Sequence, residues 1–471
     1  MEYIYQNQEI KFLSKEEVEK FFISSKSDDK VELSDKILNF TFEHLKELIE
    51  NSKKELIDKG NKLYKDYFEN LSSNQIEFSK DRVKKILKEK YQIIREKITP
   101  FVYLDNINFL LSNGCSIYCG SKGINNNTEK DLENILKNFS TDKNGELESF
   151  IKKYSNSSLT PEKILDKLYQ ANNFYKNIIL NEEISLKITQ LIKDYQTTLL
   201  KNYVLGINYK NPYLHEELFL KLLAIKKYNQ VSIFTLNYDI LIEIAAENLN
   251  IPLNNGFQGF QIRKFNPANF NYKNYTETID GNKKIEKNMK LIKLHGSLSW
   301  EYEEEVVPYN IIEKQLKLNE GYLEYNDIFE EEKEVIIYPT QTKKSYSLDL
   351  PYSEMFRQFN ESINKNNSTL FIVGYSFLDE HINDIILSSL ANPYINIVIF
   401  MYSSKKICLE NEYLKEIIKR ANVDSRITIF FGEFLGDFKN IVQDIFPVEA
   451  EKDSYRELEK ILSRLKSGDM E

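Results

Sequence analysis

Four short clusters of small and polar residues carry the side chains that could do chemistry in this chain. They are "SNGCSIYCG" (Ser112–Gly120), "TLNYD" (Thr235–Asp239), "LHGS" (Leu294–Ser297) and "GYSFLDEHIN" (Gly374–Asn383). In the first, Asn113, Gly114 and Gly120 tolerate tight turns, and turns of this kind aim backbone amides at a phosphate. The same stretch carries Cys115 and Cys119, so a thiol site or an ordinary strand end fits it too. Asn237 and Asp239 offer hydrogen-bonding groups, or caps for the helix expected over "ILIEIAAENL". His295 stands before a glycine and is one of only four histidines. An imidazole transfers protons near neutral pH, whereas a structural one is buried and bonded to backbone. Asp379 reads as a cap for the helix that follows it, and His381 as a surface or packing residue inside that helix.

The elements that must position these clusters are legible from Phe101 onward. Short apolar runs alternate with helical stretches: "INFLLS", "VSIFTLN" (231–237), "LIKLHG" (291–296), "EVIIYPT" (334–340), "LFIVGYS" (370–376), "INIVIFMY" (395–402) and "ITIFFG" (427–432). Most are continuous and rich in Ile, Val and Phe, as parallel strands buried on both faces are. Helices between such strands predict an α/β, doubly wound, mostly parallel sheet. Ligands of these sheets bind beyond the carboxyl ends of the strands, and all four clusters sit there. Residues 1–100 read as a helical N-terminal region, because 37–71 places apolar residues three and four apart. Pro100 is expected to close it, and the region is a candidate assembly or partner surface. Residues 125–210 are polar and mostly helical, an expected insertion after the first strand. Residues 254–290 read as a long loop, 303–333 as a glutamate-rich solvated excursion, and 447–471 as a charged helical tail.

Composition narrows the function. The 471 residues carry 63 basic and 72 acidic side chains, a formal charge of 63 − 72 = −9. A mildly acidic chain argues against sequence-independent nucleic-acid binding, which needs a basic face. No apolar run approaches the roughly 20 residues that span a bilayer. The N-terminus has neither a basic start nor an apolar signal core, so the expected location is the cytoplasm. Cys115, Cys119 and Cys408 are the only cysteines and suit a reducing compartment.

Taken together and in order, "SNGCSIYCG", "TLNYD", "LHGS" and "VGYSF" resemble the sirtuin-like NAD-hydrolase family of bacterial antiphage defence systems, over residues 101–446. The loop departs from that family's pattern at Ser112 and Asn113, where glycine and alanine are usual. It retains Gly114, Ser116 and Gly120, with Cys115 and Cys119 as small fillers. Protein deacetylases of the family carry a four-cysteine zinc module, which three cysteines cannot supply. The resemblance therefore implies no metal.

What it implies is a Rossmann-like NAD site. Asn113, Gly114, Cys115, Ser116 and Gly120 would face the pyrophosphate, with Thr235 beside them, and Gly374, Tyr375 and Ser376 would hold the adenosine half. Asn237 would orient the nicotinamide ribose and the attacking water, His295 would accept a proton from the ribose hydroxyls, and Asp239 would orient the site. The activity implied is NAD glycohydrolysis, depleting NAD in an abortive response to phage. A homo-oligomer, and a HerA-type ATPase or other sensor from the same defence system, are the partners implied. The alternatives are an NAD- or ADP-ribose-binding regulatory module without turnover, and an NAD-dependent deacylase or ADP-ribosyltransferase.

Overall fold

The computed structural model describes residues 2–24, 35–50, 69, 76–122, 161–204, 206–225, 231–273, 275–277, 283–285, 288–323, 334–336 and 350–447. The strands of the two larger sheets are, in chain order, β1 (Glu2–Tyr5), β2 (Gln8–Lys11), β3 (Asn106–Leu111), β4 (Val231–Thr235) and β5 (Leu253–Asn254). They continue with β6 (Phe257–Gln258), β7 (Arg263–Phe265), β8 (Met289–Lys293), β9 (Gly296–Tyr302) and β10 (Ile311–Glu313). The last are β11 (Glu334–Ile336), β12 (Ser368–Val373), β13 (Ile395–Met401) and β14 (Ile427–Phe431). The helices are α1 (Asp35–Glu50), α2 (Lys80–Val102), α3 (Pro161–Phe174) and α4 (Glu182–Val204). After them come α5 (Tyr213–Ile225), α6 (Leu241–Asn248), α7 (Tyr352–Ile363) and α8 (Glu380–Ser389).

The described residues divide into two compact units, one within 2–104 and 396–447, the other within 105–395. The strands from residue 396 onward thus group with the N-terminal region.

In the first unit the strands run in the order β2-β1-β14-β13. β13 and β14 are parallel, whereas β1 is antiparallel to both β14 and β2. Residues 2–11 are therefore a β-hairpin, not part of a helical region. Gln6 and Asn7 take positive φ (48° and 63°), as a two-residue hairpin turn requires. Tyr3 and Ile4 are buried, and the Tyr3 ring packs on Phe430. α2 buries Val83, Leu87, Tyr91, Ile94 and Ile98 along one stripe, as its spacing predicts. It runs through Pro100 to Val102 rather than stopping before it.

In the second unit the sheet order is β12-β3-β4-β8-β5, all parallel. β4, β8 and β12 are buried along their whole length, so both faces are covered and continuous apolar runs are required. The first strand, β3, has β4 on one side and β12 on the other, so the strand order reverses at the β3–β12 boundary. "EVIIYPT" does not join this sheet. Its described part, β11, pairs antiparallel with β9 in a second sheet ordered β11-β9-β10-β7-β6. The Asn- and Lys-rich stretch read as loop supplies β5, β6 and β7, and the glutamate-rich one supplies β10. Short strands with few branched residues carry little periodic signal. Here an aromatic cluster holds them, with Phe257 and Phe265 packed on Trp300.

Within the expected insertion, α3 and α4 form a helical pair with its own apolar core of Leu165, Leu168, Leu191 and Tyr195. Residues 125–160 of it, and 448–471 of the expected tail, lie outside the described residues. Among the described residues no helix is long and apolar enough to cross a membrane.

Candidate functional site at the carboxyl edge of the sheet

The register of the parallel strands fixes the geometry. Val373 pairs with Leu111, Leu111 with Thr235, and Thr235 with Lys293. Four adjacent strands thus end in one row, and each of the four clusters is the chain leaving that row.

At the β3–β12 boundary the two connections touch. The Gly114 amide donates to the Gly374 carbonyl at 3.1 Å. A Cβ on Gly114 would lie 2.6 Å from the Gly374 Cα, so a side chain there meets backbone. Gly374 takes φ +69°, a left-handed conformation that favours glycine. This close approach is the reason for a glycine at both positions. The Cys115 amide donates to Ser112 and the Ser116 amide to Asn113, each at 2.9 Å, closing a 3-10 turn over Asn113–Cys115. A second such turn spans Ile117–Cys119 and ends on Gly120 at φ +95°. The amides of Gly114, Cys115 and Ser116 are therefore donors within the fold. A phosphate bound by them must share those donors or open the turn. Asn113 Oδ1 accepts from the Ser121 hydroxyl at 2.7 Å.

Ser116 is the hub of a sealed polar network. Its hydroxyl donates to Asp239 Oδ2 at 2.9 Å and accepts from Asn237 Nδ2 at 3.0 Å. Relative exposures are 0% for Ser116, 5% for Asn237 and 2% for Asp239. Asp239 Oδ1 accepts from the Leu241 amide at the first residue of α6, and Thr235 Oγ1 accepts from the Asn237 amide. Both carboxylate oxygens of Asp239 are thus engaged, and Asn237 retains Oδ1 to offer a water or hydroxyl. Lys293, buried at the end of β8, braces this turn from the next strand. Its ammonium donates to the Tyr238 and Asp239 carbonyls, to Glu243 Oε1 and to Ser297 Oγ.

His295 follows β8 two residues past Lys293. Its Nε2 lies 2.9 Å from Asp379 Oδ2, with both side chains buried. That distance makes an ion pair when the ring is protonated. Asp379 also caps α8, as its sequence position predicts, through Oδ1 to the His381 and Ile382 amides. Nothing in the local sequence signals its second partner, which comes from another strand. Tyr375 is buried, with its hydroxyl 2.9 Å from Asn383 Oδ1 and 3.1 Å from the Asp379 carbonyl, while Ser376 is exposed. Phe377 holds a positive φ of 58°, kept there by burial and by Asn383 Nδ2 donating to its carbonyl. His381 packs edge-on against Phe356, a packing role.

The thiols are not poised for chemistry. Cys115, Cys119 and Cys408 are free and buried. Burial pushes the Cys115 thiol up, that of Cys119 to about 12 and that of Cys408 to about 11. Reactive cysteines need the opposite shift and access to solvent. Beside this network, α5 buries His215, whose pKa desolvation pushes down to about 4, and Glu216, whose pKa burial raises.

With this geometry in hand, residues 231–424 match the family model of the SIR2-like domain. The match spans β4 to the segment before β14 and so includes "TLNYD", "LHGS" and "GYSFLDEHIN", but begins after the Ser112–Gly120 loop. No curated protein matches the chain. A SIR2-like domain implies NAD as the ligand.

Proposed function

We propose that this chain, which carries a SIR2-like domain over residues 231–424, is an NAD glycohydrolase. The carrying observation is the register of four strand ends, which gathers Ser116, Asn237, Asp239 and His295 along one sheet edge. NAD lies across that edge, with its adenosine half toward Gly374, Tyr375 and Ser376 and its pyrophosphate beside Asn113–Ser116, Gly120 and Thr235. The C1′–N bond breaks and nicotinamide leaves with the bonding pair, while the ribose develops oxocarbenium character. Water adds to C1′, and its proton passes to solvent, giving nicotinamide, ADP-ribose and one proton. Asn237 Oδ1 orients the water and the ribose. His295 accepts a proton from a ribose hydroxyl as charge develops at C1′ and returns it once water has added, so the balance of one released proton is unchanged. Asp239 orients Ser116 and Asn237, consistent with both of its oxygens being engaged. No step calls for a metal.

The resemblance to antiphage effectors supports a cellular role in depleting NAD during infection. Such an enzyme must be held off in healthy cells, through self-association or a companion such as a HerA-type ATPase. The test is to separate the products formed from NAD by chromatography, with and without an acyl-lysine peptide and with and without the companion. ADP-ribose and nicotinamide in equal amounts without peptide support the hydrolase. Bound but intact NAD indicates a regulatory binding module, and cleavage only with peptide indicates a deacylase.

A further inference from the structure

Asp379 does more than a helix cap needs. Capping α8 uses one carboxylate oxygen, and Ser, Thr or Asn would serve as well. Here Oδ1 takes the His381 and Ile382 amides, while Oδ2 stands 2.9 Å from His295 Nε2. The segment that carries Asp379 is closed on itself, with Tyr375 bonded to Asn383 and Asn383 to the Phe377 carbonyl. The carboxylate is therefore held from two directions and is 6% exposed, beside an imidazole that is 5% exposed. The other charged groups near the end of β8 are committed elsewhere. Lys293 binds Glu243 and the Asp239 carbonyl, and the Asp239 carboxylate binds Ser116 and the Leu241 amide.

We propose that Asp379 is the positioning residue of His295: it fixes the ring's orientation and stabilises the imidazolium formed when His295 takes up a proton. This rests on His295 acting as proton acceptor in the proposed hydrolase. A carboxylate a few ångströms away favours the charged ring, so it raises the pH at which His295 loses its proton. His295 must be neutral to accept a proton, so the acid limb of activity lies at a higher pH with Asp379 than without it.

D379N keeps the cap and removes the charge. Full-length protein labelled at histidine gives resonances from four imidazoles, and H295Q identifies the one of interest. In D379N the His295 titration midpoint falls by about one pH unit. Nicotinamide release loses about tenfold or more in kcat with KM little changed, and its acid limb moves to lower pH. A midpoint and a pH profile that both stay where they are in D379N overturn the proposal. A midpoint that falls in a protein that never cleaves NAD leaves the pair standing and removes the hydrolase instead. Should D379N not fold, D379S, also a capping residue without charge, is read in the same way.

Discussion

Ser116→Ala tests whether the sealed network is a single device. The substitution removes one hydroxyl and with it two buried hydrogen bonds, to Asp239 Oδ2 and from Asn237 Nδ2. A hydrogen bond to a charged group contributes about 1.5–3 kcal/mol and a neutral one about 1 kcal/mol. Asp239 Oδ2 is left without that donor at a site where Asp239 is 2% exposed, so the upper part of the range applies. The expected loss is about 4 kcal/mol. The chain has one tryptophan, Trp300, and it lies in β9 of the unit that holds the network. Its fluorescence during urea unfolding therefore follows that unit. The midpoint shift multiplied by the urea slope gives the loss directly. In a double-mutant cycle with N237A, Ser116 and Asn237 should couple by about 1 kcal/mol. NAD cleavage should fall in S116A as well, because the Asn237 amide loses its anchor. A loss below about 0.5 kcal/mol with additive mutants would refute the idea that Ser116 ties the loop to the Asn237 turn.

Two further outcomes follow from buried titratable groups. The thiols of Cys115, Cys119 and Cys408 should resist a disulfide reagent at pH 8 in the native protein, and all three should react in guanidinium; rapid native labelling of Cys115 or Cys119 would contradict their role as fillers. His215 is held neutral by desolvation, with a pKa of about 4 against 6.5 when unfolded, so between those values the unfolded chain binds more protons and stability falls as the pH falls. The full effect of such a shift is about 3 kcal/mol, lost between pH 6.5 and 4. Glu216, raised by burial, works in the opposite sense. The measurement is therefore the difference in urea midpoints between wild type and H215Q at pH 7 and pH 4.5. A difference that does not change with pH contradicts the assignment.

The parts of the fold that were legible in the sequence are those where burial on both faces forces a continuous run of branched and aromatic residues. "INFLLS", "VSIFTLN", "LIKLHG" and "LFIVGYS" became β3, β4, β8 and β12, and with them came the row of strand ends. The hairpin β1–β2 was not legible, because two four-residue strands carry too little alternation and are defined by pairing, β2 with β1 and β1 with β14. "EVIIYPT" reads like a buried parallel strand, yet β11 pairs antiparallel with β9, since composition reports burial and not partner. The site divides in the same way. The positions of Asn237, Asp239 and His295 could be read from strand ends. The Ser116 hub, the glycine contact between Gly114 and Gly374, and the second oxygen of Asp379 are tertiary contacts between distant segments. The loop amides illustrate the converse. A glycine-marked turn suggests donors waiting for a phosphate, and the turn itself takes those donors up.

The most direct test of the central claim is the rate of nicotinamide release from NAD by the purified chain, alone and with its candidate companion, for wild type, N237A and H295A. Wild type is expected to release nicotinamide under at least one of these conditions, with an equal amount of ADP-ribose product, and both variants to lose about 100-fold or more. No release under either condition while NAD remains bound contradicts the hydrolase. Full turnover in N237A and H295A contradicts the site.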